Sequence, residues 1–189
     1  ISARFPFGQY QSSEFDSQSK IRINEAKAAL KVLNIKDVHF GDRLCVQFDT
    51  LPHITLVKDI EKHVNDFQPT ILLTHNPSEV NIDHRLTYEA VEAACRPTGR
   101  KELPDEIYTF EIICSGSYKF LPFFSPNVFV DISDTWDIKV KAWECYEKES
   151  MDFPFPRSIE GLKTLAMYRG LASGIEKVEA FNLARMIVK

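Results

Sequence analysis

The 189-residue chain has only seven glycines, and they never form GxGxxG or GxxxxGK[ST]. Neither the dinucleotide fingerprint nor the phosphate-cradling P-loop is written in it. The four cysteines, Cys45, Cys95, Cys114 and Cys145, make no CxxC pair and no zinc-ribbon spacing. In a chain of this size they read as reduced core or half-buried residues, which points to the cytoplasm. No apolar run approaches the roughly 20 residues that span a bilayer, and the richest stretch, Phe120 to Val130, is interrupted by Pro122 and Pro126. A net charge of -4 and a pI near 5.8 leave no general basic field for nucleic acid or an anionic membrane. The opening ISARFPFGQYQSSEF carries neither an initiator methionine nor a signal-peptide pattern. The native polypeptide is therefore expected to extend upstream of Ile1.

What the chain does have is enough apolar content, 44%, to bury one sizeable core, and residues 1–189 read as a single domain. Ala26, Ala29, Leu30 and Leu33 recur at helical spacing, predicting a helix from about Ile21 to Asn34. Asp37 to Gly41 (DVHFG) reads as a short strand, and Ile54, Val57, Ile60, Val64 and Phe67 mark a second helix that Pro69 closes. Thr70 to His75 is a continuous apolar run, as expected of a central parallel strand covered on both faces. A third helix is expected over His84 to Cys95. Strands follow at Ile107 to Ile113 and Asn127 to Ile132, then a helix through about Glu149 and another from Ser158 to near Gly170. This alternation predicts an α/β fold, an open and mostly parallel sheet with flanking helices.

Ligands of such sheets sit outside the carboxyl ends of the strands, and the loop THNPSEVNIDHR, Thr74 to Arg85, leaves one of those ends. Two readings of Asp83-His84 fit. In the first, Asp83 caps the following helix and His84 is an ordinary first-turn residue. In the second, His84 binds Zn²⁺ through one ring nitrogen and nearby groups assist a metal-bound water. Spacing alone does not decide between them. A His-x-x-Asp pair at His63 and Asp66 lies on the second amphipathic helix and reads as a solvated face.

Several stretches, in order, resemble the LmbE/PIG-L-like family of zinc-dependent N-deacetylases. They are RINEAKAALKVLNI, FDTLP, the quoted loop continued to EAVEAACRP, IYTFEI, SPNVFVDIS, FPFPRSIEGLKTLAMYRG and VEAFNLARMI, spanning Arg22 to Ile187. The likeness is greatest to the sugar-modifying bacterial branch that carries NIDHR. It implies a Rossmann-like deacetylase fold and zinc as cofactor, with His84 as one metal ligand. The family's other ligands and its general base belong to an HPDD motif after the first strand, and these 189 residues hold no such motif. The expectation is that this lead-in, about one βαβ unit or ~30 residues, lies upstream. The chain is then either a fragment of a longer enzyme or a shortened relative that has lost its metal.

The resemblance also assigns the neighbouring positions. Asn81 stands where relatives place a His that assists the leaving amine or the oxyanion; an amide donates a hydrogen bond but transfers no proton. His75 could supply the general acid, or could be a strand-end residue bonded to loop backbone. Asp83 could orient a histidine or cap the helix. Arg4 matches an arginine near the family's substrate pocket and could grip sugar hydroxyls or phosphate. The expected activity is removal of acetyl from an N-acetylated amino sugar or glycoconjugate precursor. The alternative is a metal-free sugar-binding or regulatory module. Expected partners are a small amino-sugar substrate, with no nucleic acid and no membrane span, and a homo-oligomer stays open.

Overall fold

In a computed structural model, residues 12–43, 45–97 and 103–189 are described. They form two compact units, one of the residues up to Cys45 with Asp131–Val178, the other of Val46–Val130 with Glu179–Lys189.

The first unit is helical. Helix α1, Ser12–Val32, begins well before Ile21 and packs along α4, Trp136–Glu144, burying the predicted Ala26 and Ala29. Leu33 lies past its end and is exposed. Helix α5, Ile159–Leu171, opens as expected at Ser158, whose hydroxyl accepts the Gly161 N–H at 2.9 Å. A Cβ on Gly161 would lie 2.3 Å from the Pro156 carbonyl oxygen, so only glycine fits that first turn. Glu149 is held between two guanidiniums, bonding Arg22 through one oxygen and Arg157 through the other. The Trp143 indole N–H donates to the Arg157 carbonyl at 3.0 Å.

The second unit carries the sheet. Helix α2, His53–Phe67, buries Leu56 and Val57 against Ala90 and Ala94 of helix α3, Ile82–Ala94. Burying a Leu or Val side chain contributes roughly 1.5–3 kcal/mol. Of the predicted α2 stripe, Val57 and Val64 are buried and Ile60 is partly so, whereas Ile54 and Phe67 are exposed at its two ends. Strands β1, Ile71–His75, β2, Glu106–Phe110, β3, Val128–Asp131, and β4, Val178–Met186, lie in the order β1-β2-β4-β3. Strands β1 and β2 are parallel, with Leu72 beside Ile107 and His75 beside Phe110, but β4 runs antiparallel to β2.

The α/β class, the open sheet and the flanking helices thus match expectation; strand β4 was not anticipated, and three further details differ. The sheet is mixed, because a strand's residue pattern carries no information about its direction. Segment 37–41 has no regular structure: among the described residues it has no neighbour to complete a ladder. Among the described residues strand β1 is at the sheet's edge, with Leu72 packed inward near Val64 and Val91, while Ile71 and Leu73 are 55% and 53% exposed. A five-residue apolar run looks the same for an edge strand as for a fully covered one.

Candidate active site

The quoted loop leaves the carboxyl end of β1, beside the turn that follows β2, and hydrogen bonds fix it at each step. The Asn76 N–H donates to the Phe110 carbonyl at 3.0 Å, and its side-chain amide donates to the Thr109 hydroxyl at 2.9 Å. Its side-chain oxygen accepts the Ser78 N–H at 2.8 Å, a short asparagine turn before the helix. Arg85 reaches back and donates to the carbonyls of Glu79 and Val80, both at 2.8 Å. The Asn81 N–H donates to the Ser115 hydroxyl at 3.3 Å.

Asn81 is the N-cap of α3, its side-chain oxygen accepting the Asp83 N–H at 2.9 Å. That leaves its NH₂ as the group able to donate elsewhere. Asp83 takes neither role the sequence left open, although its charge does sit in the first turn of α3. Its buried carboxylate accepts the N–H groups of Val46 and Phe48, the latter at 3.0 Å, and so ties segment 46–48 to α3. The helix is capped by Asn81 instead, since a short loop brings that side chain round first. Arg4 lies outside the described residues. His63 and Asp66 are exposed on α2, as expected.

His75 and His84 are brought together. Their rings stack with centroids 4.2 Å apart and planes within 3°, and Phe110 packs against His75 at 5.1 Å. Nδ1 of His84 lies 3.2 Å from Oε2 of Glu79, and the other Glu79 oxygen accepts the Ile112 N–H at 3.0 Å. Glu79 is fully buried. A Cβ on Gly116 would come within 3.3 Å of its Oε1. Sequence reasoning missed Glu79, whose only signal was a carboxylate five residues before the histidine, a spacing with no meaning until the loop is folded.

Burial, followed by the charge of His84, lowers the His75 pKa from 6.5 to about 4. Its Nδ1 is buried with no hydrogen-bond partner among the described residues, so the expected bond to described loop backbone is not made at that atom. At neutral pH the ring is neutral, which suits packing against His84 better than proton donation in the resting protein. Between pH 6.5 and 4 the unfolded chain then binds more protons at this position than the folded one. Stability should accordingly fall as pH drops through that window, by at most about 3 kcal/mol from His75. Urea unfolding of the metal-free protein at pH 7 and pH 4.5 should show His75→Phe losing part of the pH dependence of the parent. An identical pH dependence in the variant would exclude His75 as its source.

A metal here requires donors that converge. His84 meets the pattern of a zinc-bound histidine whose other ring nitrogen is held by a carboxylate. Among the described residues no three His, Cys, Asp or Glu side chains converge to complete a site. One ligand position therefore fits, and the remainder of a three-ligand zinc site is not formed by the described residues.

This is an open α/β sheet with a histidine-bearing loop at the carboxyl ends of its parallel strand pair, the place where ligands of such sheets bind. Residues 6–95 match the family model described as PIG-L, GlcNAc-PI de-N-acetylase. A relative, diacetylchitobiose deacetylase of Thermococcus kodakarensis, is 31% identical over 173 residues, covering 85% of this chain and 61% of its own length. The chain thus spans less than two thirds of that relative. Among solved structures, N,N'-diacetylchitobiose deacetylase from Pyrococcus horikoshii superposes with a TM-score of 0.68 at 22% identity, over 94% of this chain and 68% of that one. A zinc-inhibited form of teicoplanin deacetylase gives 0.63 at 14% identity, over 88% and 73%. The PIG-L/LmbE match is thus carried by residues 6–95, and similarity to the Thermococcus deacetylase extends over 85% of the chain. No helix among the described residues is long and apolar enough to cross a membrane.

Proposed function

We propose that the protein is a zinc-dependent N-deacetylase that hydrolyses the acetamide of an N-acetylated amino sugar or glycoconjugate precursor in the cytoplasm. The observation that carries this reading is the pose of His84: at the mouth of β1, its Nδ1 faces a buried carboxylate and Nε2 is the ring position left for a metal. The family match and the deacetylase named for the Thermococcus relative support the reaction class. No disulfide joins the four cysteines among the described residues, in keeping with that compartment. Zinc supplies a Lewis acid that polarises the amide carbonyl and acidifies water. In this reading two further ligands and the general base come from an HPDD segment that the 189 residues do not contain.

The residues present have separable tasks. His84 holds the metal. Asn81, with its oxygen occupied by the cap, has an NH₂ to offer the oxyanion that forms when the acetamide is attacked. Asp83 fixes segment 46–48 beside the helix start, His75 backs the His84 ring, and Arg4 would grip sugar hydroxyls or phosphate.

Two measurements bear on this. Isothermal titration of the 189-residue chain should show weak zinc binding or none, because only one ligand is in place; tight stoichiometric binding that survives His84 substitution would count against the ligand assignment. In a protein with the HPDD segment, Asn81→Asp preserves the capping oxygen but removes the donor. Its stability and zinc content should stay near the parent's, while release of free amine from N,N'-diacetylchitobiose or N-acetylglucosamine falls about 10²- to 10³-fold. Unchanged turnover would remove Asn81 from the oxyanion role.

A further inference from the structure

Glu79 is the largest fully buried side chain among the described residues. A buried carboxylate is costly unless its oxygens are paired, yet among the described residues no Lys or Arg side chain forms an ion pair with it. The adjacent Arg85 donates instead to the main-chain carbonyls of Glu79 and Val80. The carboxylate's partners are one backbone N–H, from Ile112 at 3.0 Å, and one imidazole nitrogen, Nδ1 of His84 at 3.2 Å. An ionised carboxylate only accepts hydrogen bonds, so contact with it calls for a proton on Nδ1. The neutral ring then has its lone pair on Nε2.

We infer that Glu79 is the positioning residue of this site: it fixes His84 as the Nδ1–H tautomer, with Nε2 free to bind a metal, while the stacked His75 ring holds the imidazole plane. This deepens the zinc reading above and rests on it for its purpose, but the tautomer itself is a property of the metal-free chain. Two features make Glu79 suited to the task. Its first oxygen is tied to the backbone of the turn after β2, and the space beside it is closed by Gly116, where a Cβ would approach within 3.3 Å. The second oxygen is thus held in one place, and a hydrogen bond to it sets both the tautomer and the rotation of the His84 ring.

The chemistry gives an asymmetric test. A glutamine has one acceptor where glutamate has two. In Glu79→Gln the obligate donor Ile112 N–H claims the amide oxygen, which turns the NH₂ toward Nδ1 and favours a lone pair there. The variant should therefore switch His84 to the Nε2–H tautomer. Long-range ¹H–¹⁵N correlation spectra of the metal-free protein, recorded at alkaline pH where imidazoles are neutral, distinguish the two forms. We expect Nδ1–H in the parent and Nε2–H in Glu79→Gln. A parent ring with its proton on Nε2 overturns the inference without any variant, which covers the case in which Glu79→Gln does not fold. A folded Glu79→Gln that keeps Nδ1–H overturns it as well. In a protein with the complete ligand set, zinc affinity should fall about 10- to 100-fold in Glu79→Gln, whereas an unchanged affinity would make Glu79 a packing residue only. An Nδ1–H parent that binds no zinc even with that set would instead refute the zinc reading and leave the tautomer assignment standing.

Discussion

His84→Ala, made in the protein that includes the HPDD segment, is expected to lose bound zinc and deacetylation together. In the proposed reading the imidazole is the one zinc ligand among the described residues, and its removal would take away both affinity and the Lewis acidity that lowers the barrier by several kcal/mol. Turnover should fall by at least about 10³-fold, and elemental analysis should find substoichiometric zinc. The fold should survive, since His84 is a first-turn residue of α3 whose helix cap is made by Asn81 and whose apolar face is Ala90, Val91 and Ala94. Wild-type zinc and turnover in this variant would return His84 to the plain role of a helix-start residue.

The second large effect is on stability and lies in the helical unit. The side chains of Glu149, Arg22 and Arg157 are 7%, 13% and 18% exposed, so the carboxylate and both guanidiniums are largely removed from water. Glu149→Ala removes the carboxylate that the two cations share, although Arg22 keeps its ion pair with Glu25 at 2.9 Å. Breaking a buried pair by removing one member costs about 3–5 kcal/mol. For a chain of this length that is a drop in Tm on the order of 10 °C. Differential scanning calorimetry measures it directly. A Tm within a degree or two of the parent would mean that water reaches the triad and replaces the carboxylate at little cost. Glu149→Gln retains volume and one acceptor, and should fall between the two.

Much of this architecture was legible in local pattern. The period of Val57, Ile60 and Val64 marked α2, Ser158 marked the start of α5, and the run ILLTH marked β1, because each signal is carried by neighbouring residues. Strand β4 went unassigned: Glu179, Asn182 and Arg185 interrupt its apolar run, and it is stabilised by pairing with β2, including Tyr108 against Leu183 and Phe110 against Phe181. Segment 37–41 was the converse error, a β-rich string that pairs with no strand among the described residues. At the site, THNPSEVNIDHR was singled out correctly as a loop at a strand's carboxyl end, but its internal wiring was not legible. Whether Asp83 faces a histidine or the amides of Val46 and Phe48 depends on where a segment some 35 residues earlier comes to rest. Glu79 escaped for the same reason, since its meaning lies in the distance to His84 and in the Ile112 amide 33 residues away.

In the proposed reading His84 holds a zinc ion through Nε2 for amide hydrolysis. Anomalous diffraction at the zinc edge, from crystals of the catalytically active protein, tests it most directly. A peak is expected about 2.0–2.1 Å from His84 Nε2, with Nδ1 still on Glu79. A zinc peak away from His84, in crystals of protein that deacetylates its substrate, would contradict it.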